Sequence, residues 1–515
     1  MDEGETGAVL HTSRDRFLTL AAGSDTDVRI PIEYRLRVDD PFEAYRRARD
    51  AEGGSYLETT GGQPGWGYFG VDPVERLRVG AEAVAIGGGS ASLSALQGLL
   101  DGESLVRGAC TVPYPCGAIG WLSYDVAREL ESLPDATTDD RGLPRLDLAV
   151  YDRLAAWEEP WEGETTLRIT ACPRIDGDPV AAYDRGRRRA LALAERIREG
   201  EPDVSEDGAT GGSEDGVSSG VGRSTPPTAR FESDCGREAF SRRVDRVKRR
   251  IRDGETFQAN VSQRLSAPAA VHPVTAFSAL RAVNPAPYSA LLERRDHDLV
   301  SASPELLIEV DGDRLVTEPI AGTRPRGGTP EADERYEAEL LGDEKERAEH
   351  AMLVDLERND LGKVCAFGTV EVSEYRRVDR YSEVMHLVSL VEGRRREGVS
   401  IADALGAVFP GGTITGAPKP RTMAIIDEVE TTRRGPYTGS IGIFGFDDRA
   451  TCNIVIRTLV RHAGEYDLRV GAGIVHDSVP EHEYEETLAK GRALITAIDE
   501  ALESKRMTVT VEAGE

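Results

Sequence analysis

Two pairs of glutamates with the same spacing are the residues of this sequence best suited to metal chemistry. Glu346 and Glu349 lie three positions apart in the stretch 343–360, whose apolar residues recur at helical spacing without an internal Gly or Pro. Glu483 and Glu486 repeat that spacing near the end of the chain. Residues three apart share one face of a helix, so two such helices can offer four carboxylates to a hard divalent cation such as Mg²⁺. The spacing alone is also typical of two solvated acidic helix faces.

The charge balance indicates an acidic, lysine-poor surface. Asp and Glu number 91 against 63 Lys and Arg, which gives a formal net charge of -28. Such a surface repels nucleic acid and anionic membranes. It suits a cytoplasm full of salt, where screening removes the repulsion between like charges, and it predicts a halophilic source, for which we expect an archaeon. Apolar periodic segments run through most of the chain and exclude an acidic disordered protein.

Neither the cysteines nor the N-terminal stretch indicates secretion. The six cysteines form no C-x-x-C pair, which predicts buried thiols in a reducing compartment rather than a zinc site or a disulfide framework. The stretch MDEGETGAVL lacks the basic start and apolar run of a signal, and no apolar stretch approaches the length of a membrane span. We therefore expect a cytoplasmic protein.

A break in composition divides the chain. The stretch 200–230 is rich in Gly, Ser, Asp and Glu without apolar periodicity, which predicts a flexible linker. We predict an N-terminal regulatory and structural segment over 1–199, a catalytic domain over 231–505 and a tail over 506–515. Strand-like and helical patterns alternate on both sides of the linker, which indicates a mixed α+β fold. We expect both segments to contribute to one intertwined body.

Nine stretches after the linker resemble, in order, the chorismate-binding catalytic domain shared by anthranilate synthase component I, aminodeoxychorismate synthase component I and the isochorismate and salicylate synthases. They are FQANVSQR (257–264), SASPELL (301–307), PIAGTRPRG (319–327), EHAMLVDLERNDLGKV (349–364), DRYSEVMHLVSLVEG (379–393), GGTITGAPKPRTM (411–423), RRGPYTGSIG (433–442), NIVIRTL (453–459) and VGAGIVHDSVPEHEYEET (470–487). YLETT and GAIGWLSYD in the first segment resemble the family's N-terminal domain more weakly. The resemblance implies two large, mostly antiparallel β-sheets packed face to face as a sandwich, with helices outside.

The resemblance also implies a metal site and a catalytic pair. Glu349 and Glu486 would bind Mg²⁺, with Glu346 and Glu483 behind them, and the ion would hold the carboxylate on the substrate ring. The catalytic residues would be Glu305 as general acid on the departing ring hydroxyl, His386 as the base that takes the ring proton, and Thr413, which would orient His386. An acid in that role must be protonated, which burial favours. Taken alone, His386 in its apolar run is also typical of a hydrogen-bonded core residue.

Substrate contacts follow from the same resemblance. They are Gly322, Thr323, Tyr437 and Arg457, together with Gly471, Ala472 and Gly473, which we interpret as a glycine turn whose amides approach an oxyanion closely. Tyr437 and Arg457 would bind the enolpyruvyl carboxylate. Arg457 follows an apolar strand pattern, and an arginine in that place suits an anion or a structural ion pair. Thr323 is equally compatible with a simple turn hydroxyl.

Two positions separate the branches of this family by the nucleophile that they add. Aminodeoxychorismate synthases typically read PIKGT, with a lysine that links covalently to the ring, where this chain has Ala321. Water-adding members carry a lysine base where this chain has Gln258. Without that amine, covalent catalysis through the first position is impossible. The resemblance therefore implies direct attack by ammonia, loss of the 4-hydroxyl of chorismate to give an aminodeoxy intermediate, and elimination of pyruvate to give anthranilate.

Two other functions stay open at this point. An aminodeoxychorismate synthase component I without the usual lysine would keep the enolpyruvyl group in its product. A non-catalytic relative would bind chorismate or tryptophan without turnover. The presence of all four carboxylates together with Glu305 and His386 argues against the non-catalytic relative.

Partners and regulation are further implications of the resemblance. The chain shows no glutaminase-type cysteine nucleophile, so a separate glutamine amidotransferase subunit would supply ammonia, in a heterotetramer of two large and two small subunits. L-Tryptophan would act as feedback inhibitor at a site that includes Thr59, Pro287, Tyr288 and Ser289. Threonine replaces the usual serine at 59, and Ser289 stands where a larger apolar residue is common. An ordinary turn beside a strand would also account for these residues.

Overall fold

Two antiparallel sheets make up most of the chain. The computed structural model describes residues 7–24, 27–202, 230–380 and 384–512, with the backbone alone over 504–512. In chain order the strands are β1 (Val9–Leu10), β2 (Ile32–Val38), β3 (Gly54–Glu58), β4 (Gly65–Val71), β5 (Glu75–Val79), β6 (Gly117–Leu122), β7 (Leu146–Tyr151), β8 (Arg153–Glu159), β9 (Thr165–Ala171), β10 (Glu232–Ser233), β11 (Gln258–Pro268), β12 (Tyr288–Glu293), β13 (His297–Ser303), β14 (Leu306–Asp311), β15 (Arg314–Thr317), β16 (Ile320–Pro325), β17 (Glu371–Arg380), β18 (Val384–Arg394), β19 (Gly416–Ala417), β20 (Ser440–Phe444), β21 (Arg449–Asn453), β22 (Thr458–His462) and β23 (Glu465–Ile474).

Helices connect these strands. They are α1 (Arg14–Ala22), α2 (Pro41–Ala48), α3 (Ala91–Asp101), α4 (Ala127–Leu130), α5 (Pro179–Glu199), α6 (Gly236–Arg252), α7 (Pro273–Val283), α8 (Pro330–Gly342), α9 (Glu344–Gly362), α10 (Ile401–Val408), α11 (Lys419–Val429) and α12 (Pro480–Glu512), with a 3₁₀ turn at Tyr124–Val126. Among the helices of the described residues, none has the length and apolar character needed to cross a bilayer.

Strands from both sides of the predicted linker are neighbours in each sheet. The first sheet has 13 strands in the order β1-β2-β9-β8-β4-β3-β12-β13-β22-β23-β11-β10, with β19 paired to β11. The second has 10 strands in the order β16-β18-β15-β14-β21-β20-β6-β7-β5, with β17 paired to β18. The two halves of the chain therefore meet at β3–β12 in the first sheet and at β6–β20 in the second. Most of the predicted linker, 203–229, lies outside the described residues, and the boundaries of the predicted division stay a prediction.

The two sheets share a core. Trp121 and Ile441 of the second sheet pack in one buried cluster with Leu154, Leu292 and Leu299 of the first. The predicted α+β fold, with two large antiparallel sheets packed face to face, is confirmed. Four of the six cysteines are buried and two are half-buried, and all six are free thiols.

The predicted acidic helix is α9, and its start follows from capping. The side chain of Asp343 accepts hydrogen bonds from the backbone N–H of Lys345 and of Glu346, so Asp343 is the cap and the helix begins one residue later. Thr329 followed by Pro330 predicts a helix start by cap and first-turn proline, and the helix before α9, α8, does begin at Pro330 with Thr329 as its cap.

Two predicted elements are wrong in detail. The apolar pattern over 452–460 predicts one strand, but β21 ends at Asn453 and β22 begins at Thr458, with Arg457 between them at a φ of 49°. The strand breaks because β21 belongs to the second sheet and β22 to the first. The predicted glycine turn at 471–473 lies inside β23, where Gly471 pairs with Ser262 and Gly473 with Asn260 of β11.

Candidate active site

The general acid predicted from the sequence lies where the chain passes from one sheet to the other. Glu305 stands between β13 of the first sheet and β14 of the second, and Arg457 stands at the neighbouring passage from β21 to β22. The two passages are joined by backbone hydrogen bonds, from Ile454 N–H to the Glu305 carbonyl at 2.9 Å and from Ala302 N–H to the Arg457 carbonyl at 3.1 Å. The fold thus holds the acid and the arginine side by side.

The Glu305 carboxyl is set up to carry a proton. Burial raises its pKa, because a charged carboxylate loses its hydration there. Three neighbours act in the opposite direction, namely the Thr413 hydroxyl, which donates to Oε2 at 3.1 Å, and the positive charges of Arg457 and Lys490. The described hydrogen bond of Thr413 is therefore to Glu305, while its predicted role in orienting His386 stays a prediction.

The predicted base lies on β18, and its Nδ1 contacts β16. His386 Nδ1 lies 3.2 Å from the Gly322 carbonyl and 3.1 Å from the Thr323 hydroxyl, both on β16. A carbonyl only accepts, so we place the proton on Nδ1, which leaves Nε2 as the basic nitrogen. Burial and the charge of Arg457 lower the pKa of His386 to about 4, against the opposing effects of the Gly322 carbonyl and Asp379. The imidazole is therefore neutral at pH 7.

Tyr437 is the residue predicted to bind the enolpyruvyl carboxylate together with Arg457. Tyr437 is buried, and burial raises the pKa of its hydroxyl to about 12, so the phenol stays a neutral hydrogen-bond donor. The Arg434 guanidinium lies 5.7 Å from the centre of the Tyr437 ring. Glu430 in turn binds Arg434 at 2.8 Å and Arg469 at 3.1 Å, in a fully buried group of charges. This group supports the loop that carries Tyr437.

The glycines of β23 give space rather than a turn. A Cβ on Gly471 would stand 2.5 Å from Asn260 Oδ1 and 2.7 Å from the Tyr437 hydroxyl oxygen. A Cβ on Gly473 would stand 2.8 Å from Gln258 Nε2. Larger residues at these two positions would therefore displace side chains that line the site. Ala472, whose side chain points to the opposite face of the strand, is fully buried in the core.

The four predicted metal-binding carboxylates come together at the other end of the site. Burial raises the pKa of Glu349, opposed by a hydrogen bond of 3.2 Å from Gln258 Nε2, and the charges of Glu346 and Glu486 raise it further. Burial likewise raises the pKa of Glu483, and the Glu486 charge adds to it. Mutual repulsion of this kind is relieved by a hard divalent cation, so the donor set fits Mg²⁺.

Two of these carboxylates are held by cations of the chain itself. Arg324 lies 3.3 Å from Glu346, and Lys490 lies 2.8 Å from Glu486. In keeping with these pairs, no three acidic, histidine or cysteine side chains of the described residues are already arranged as a metal cage. Sequence reasoning missed both cations. The signal for Lys490 was available, since it is one of six lysines and lies four positions after Glu486.

The residues predicted to bind tryptophan line a separate cavity. It has a volume of about 460 Å³ and lies between strands of both sheets. Thr59, Pro287, Tyr288 and Ser289 all contribute to its wall. The register explains this grouping, because Ser289 of β12 pairs with Glu58 of β3, the residue before Thr59.

Comparisons with known proteins identify the family of the chain. The family description "chorismate binding enzyme" matches residues 53–496. A protein named anthranilate synthase component 1 from Haloarcula marismortui is 66% identical over 509 residues, which cover 98% of this chain and 99% of that protein. The aminodeoxychorismate synthase component 1 of Bacillus subtilis is 43% identical over 387 residues, 74% of this chain and 77% of that protein.

A solved structure shows the same fold. The crystal structure of anthranilate synthase component I from Streptococcus pneumoniae superposes with a TM-score of 0.69 at 27% identity, covering 87% of this chain and 93% of that one. The Haloarcula relative also agrees with the halophilic archaeal source that the composition predicts. Because the family match runs through both segments and the Haloarcula relative matches almost from end to end, this chain belongs to the family of chorismate binding enzymes.

Proposed function

We propose that the chain is the large subunit of an anthranilate synthase, a lyase that converts chorismate and ammonia to anthranilate and pyruvate in tryptophan biosynthesis. The observation that carries the choice of nucleophile is the environment of β11 and β16. Ala321 offers no amine, and Gln258, which donates to Glu349, offers no base. Lys490 is close by, but its ammonium donates to Glu486 and to the Gly471 carbonyl at 3.1 Å. An ammonium has no lone pair with which to attack a ring.

The first step replaces the ring hydroxyl by an amine. Ammonia forms a bond to the ring carbon next to the one that carries the carboxylate, the two ring double bonds shift, and the bond to the 4-hydroxyl breaks. Glu305 gives its proton to that hydroxyl, which leaves as water. The new ammonium substituent loses one proton, which returns to the Glu305 carboxylate, so chorismate and ammonia yield the aminodeoxy intermediate and water.

The second step makes the ring aromatic. Nε2 of His386 takes the proton from the carbon that carries the amine, and the bond between the ring and the enolpyruvyl oxygen breaks. The enolpyruvate gains a proton from solvent and leaves as pyruvate, and His386 gives the ring proton to solvent. Arg457 is expected to bind the enolpyruvyl carboxylate, and neutralising its charge raises the pKa of both Glu305 and His386. Substrate binding therefore favours the protonated acid and the more basic imidazole together.

The metal proposed for this reaction is Mg²⁺, held by Glu349 and Glu486 with Glu346 and Glu483 behind them. When bound, the ion would neutralise the carboxylate on the ring. The support for it is the repulsion among these carboxylates and their grouping on α9 and α12.

Partner and inhibitor follow from the same proposal. Ammonia is supplied by a glutamine amidotransferase subunit, anthranilate synthase component II, in a cytoplasmic heterotetramer of two large and two small subunits. L-Tryptophan is proposed to bind in the cavity of about 460 Å³ lined by Thr59 and Ser289. Asp379 of β17 is part of the wall of that cavity and pairs with His386 of β18. A bound inhibitor could therefore affect the proposed base through this pair of strands.

Product analysis of the purified chain alone tests the proposal. Chorismate, Mg²⁺ and an ammonium salt at high ionic strength are expected to give anthranilate and pyruvate, detected by fluorescence and mass spectrometry. An aminated product that keeps its enolpyruvyl group would assign the chain to the aminodeoxychorismate branch. Bound chorismate without any product would assign it to a non-catalytic relative.

A further inference from the structure

The backbone N–H and carbonyl of Gly435, two residues before Tyr437, are both bound by the first segment of the chain. The N–H donates to Oδ2 of Asp125 at 3.0 Å. The carbonyl accepts from the Ser123 hydroxyl at 2.9 Å and from the Tyr124 N–H at 2.8 Å. Residues from before the predicted linker therefore hold the loop that carries a proposed substrate ligand.

The end of β6 places these residues beside that loop. Strand β6 ends at Leu122, which pairs with Ser440 at the start of β20, so the chain after β6 runs beside the chain before β20. Ser123 begins the 3₁₀ turn that follows, and its hydroxyl accepts from the Asp125 N–H at 3.1 Å. Ser123 is buried and the Asp125 side chain is 13% exposed, so water does not readily replace their hydrogen bonds to the loop.

The loop turns at Gly435 in a conformation that favours glycine. Its φ is 62°, and a Cβ there would stand 2.8 Å from Nη2 of Arg141, which itself donates to the Arg434 carbonyl at 3.1 Å. The Arg434 guanidinium lies 4.7 Å from the centre of the Tyr124 ring and 5.7 Å from that of Tyr437. The turn after β6 and the Tyr437 ring therefore contact the same cation.

The position of the Tyr437 hydroxyl matters for its proposed task. The side chain is buried, and its hydroxyl oxygen lies 2.7 Å from the place of a Cβ on Gly471 of β23. In the proposed function this hydroxyl binds the enolpyruvyl carboxylate together with Arg457. Hydrogen bonds weaken steeply with distance and angle, so a small shift of the loop would weaken that contact.

We propose that Asp125 and Ser123 are positioning residues for Tyr437, and that they act by holding Gly435. The proposal rests on the proposed function, because it gives the first segment of the chain a part in binding chorismate. Asp125 contributes more than Ser123, since hydrogen bonds to a charged carboxylate are stronger than those between neutral groups.

A double-mutant cycle tests whether Asp125 acts through Tyr437. The measured quantity is the KM for chorismate at saturating ammonium. Tyr437→Phe is expected to raise it roughly ten- to hundredfold, and Asp125→Ala roughly five- to twentyfold, because other bonds still hold the Gly435 carbonyl. The double variant should have the KM of Tyr437→Phe alone, since the position of an absent hydroxyl has no effect. The value of kcat should change less than the KM, because the carboxylate is bound alike in the ground and transition states.

Asp125→Asn separates positioning from stability. Asp125 also forms ion pairs with Arg128 at 3.4 Å and with Arg433 at 3.8 Å, which stabilise the fold whatever happens to the substrate. Asparagine keeps an oxygen for the Gly435 N–H and removes the charge. The melting temperature is therefore expected to fall, while the KM for chorismate stays within about twofold of wild type.

Asp427→Ala is the matched control. Asp427 is a buried carboxylate of α11 that also binds Arg128, but its other hydrogen bonds come from the Ala136 N–H at 3.1 Å and the Thr137 hydroxyl at 2.8 Å. It joins the two segments at a different place. Its removal is expected to lower the melting temperature and to leave the KM for chorismate unchanged.

Ser123→Ala replaces Asp125→Ala in the cycle if that variant does not fold. The Tyr124 N–H still binds the Gly435 carbonyl in Ser123→Ala, so the expected rise in the KM for chorismate is smaller, roughly two- to fivefold. The KM of the double variant with Tyr437→Phe should again equal that of Tyr437→Phe alone.

Three results would overturn the proposal. Multiplicative effects in the double variant would show that Asp125 acts elsewhere than on Tyr437. A lower melting temperature of Asp125→Ala with an unchanged KM, or equal KM rises in Asp125→Ala and Asp427→Ala, would show a structural role only. An unchanged KM in Tyr437→Phe would remove Tyr437 from the substrate site and the proposal with it. The wild-type chain is assayed first, so failure of the proposed function appears separately, as absence of anthranilate.

Discussion

The hydroxyl of Thr413 donates to Oε2 of Glu305 across 3.1 Å, and it stabilises the charged form of a carboxyl whose burial favours the neutral form. Burial is the larger effect, so the pKa of Glu305 is raised. The acid works only while protonated, hence its contribution to the rate is present at low pH and is lost as pH rises through this raised pKa.

Thr413→Val is therefore expected to shift the alkaline limb of the pH–rate profile. Removal of the donor raises the pKa of Glu305 further, and the loss of one hydrogen bond corresponds to about half to one pH unit. The measurement is kcat for ammonium-dependent turnover against pH. Thr415→Val is the control, because its hydroxyl donates to the Gly411 carbonyl and not to the acid. A shift of the acidic limb instead would place Thr413 on His386, as the family resemblance implied.

Local patterns in the sequence predicted the elements of the site well. The helical spacing around Glu346 and Glu349 and the proline after Thr329 are local features, and the structure has helices at both places. The prediction of one continuous strand through Arg457 was wrong. The passage of that strand from one sheet to the other depends on the pairing of residues far apart in the chain, which no local pattern contains.

Contacts between residues far apart in the chain could not be predicted from the sequence either. Arg324 of strand β16 binds Glu346 of helix α9, and the distance between them in sequence gives no sign of the contact. Gly471 and Gly473 were interpreted as a turn because glycine is common there. Their actual role, to leave room for Asn260 and Gln258 across the ladder, is visible only once β11 and β23 are paired.

Arg324 is expected to compete with the metal for Glu346. The two side chains form an ion pair at 3.3 Å and are 22% and 23% exposed. Such a partly exposed ion pair stabilises by up to about 1 kcal/mol. Arg324→Gln should tighten Mg²⁺ binding by up to about fivefold in calorimetric titrations of the chain without substrate. Arg326→Gln makes the same charge change beside Asp333 and should leave the affinity as it is.

Glu349→Gln should have the opposite effect on the same titration. It removes one negative charge from the proposed metal site while keeping an oxygen that can still accept from Gln258. Turnover is expected to be abolished and heat of Mg²⁺ binding to be lost. Near-normal activity in this variant would remove Glu349 from the metal site.

Thr59 and Thr60 offer a matched pair for the inhibitor site. Thr59 lines the cavity, and its hydroxyl donates a long hydrogen bond of 3.4 Å to the Trp66 carbonyl. Because that bond is weak, the hydroxyl can turn toward a ligand. Thr60 donates to the Ala286 carbonyl at 2.9 Å and is not part of the cavity wall. Thr59→Val is expected to raise the inhibition constant of L-tryptophan roughly three- to tenfold, whereas Thr60→Val should leave it unchanged. Equal constants in both variants would argue against tryptophan in this cavity.

Removal of the Glu430 charge, which lies in the buried group with Arg434 and Arg469, is expected to lower the free energy of unfolding strongly. The Glu430 side chain is fully buried and accepts from Ser262, Arg434 and Arg469. Removing one member of a buried ion pair costs about 3–5 kcal/mol, because the remaining charges lose their counter-ion. Glu430→Gln should lose about that much free energy of unfolding in urea titrations at pH 7. Glu428→Gln, whose partners Arg250 and Arg421 are partly exposed, should lose less than about 1 kcal/mol.

Glu430 also gives the stability of the fold a pH dependence. Although burial alone would raise the pKa of Glu430, Arg434 and Arg469 lower it to about 2 in the folded chain. A carboxyl whose folded pKa is depressed stabilises the fold above its unfolded pKa, and this contribution is lost as pH falls toward the folded value. Unfolding free energy of the wild type should therefore fall between about pH 5 and pH 2, and this fall should be smaller in Glu430→Gln. If the two proteins lose stability in parallel over that range, the Glu430 carboxylate does not carry the acid sensitivity of this fold.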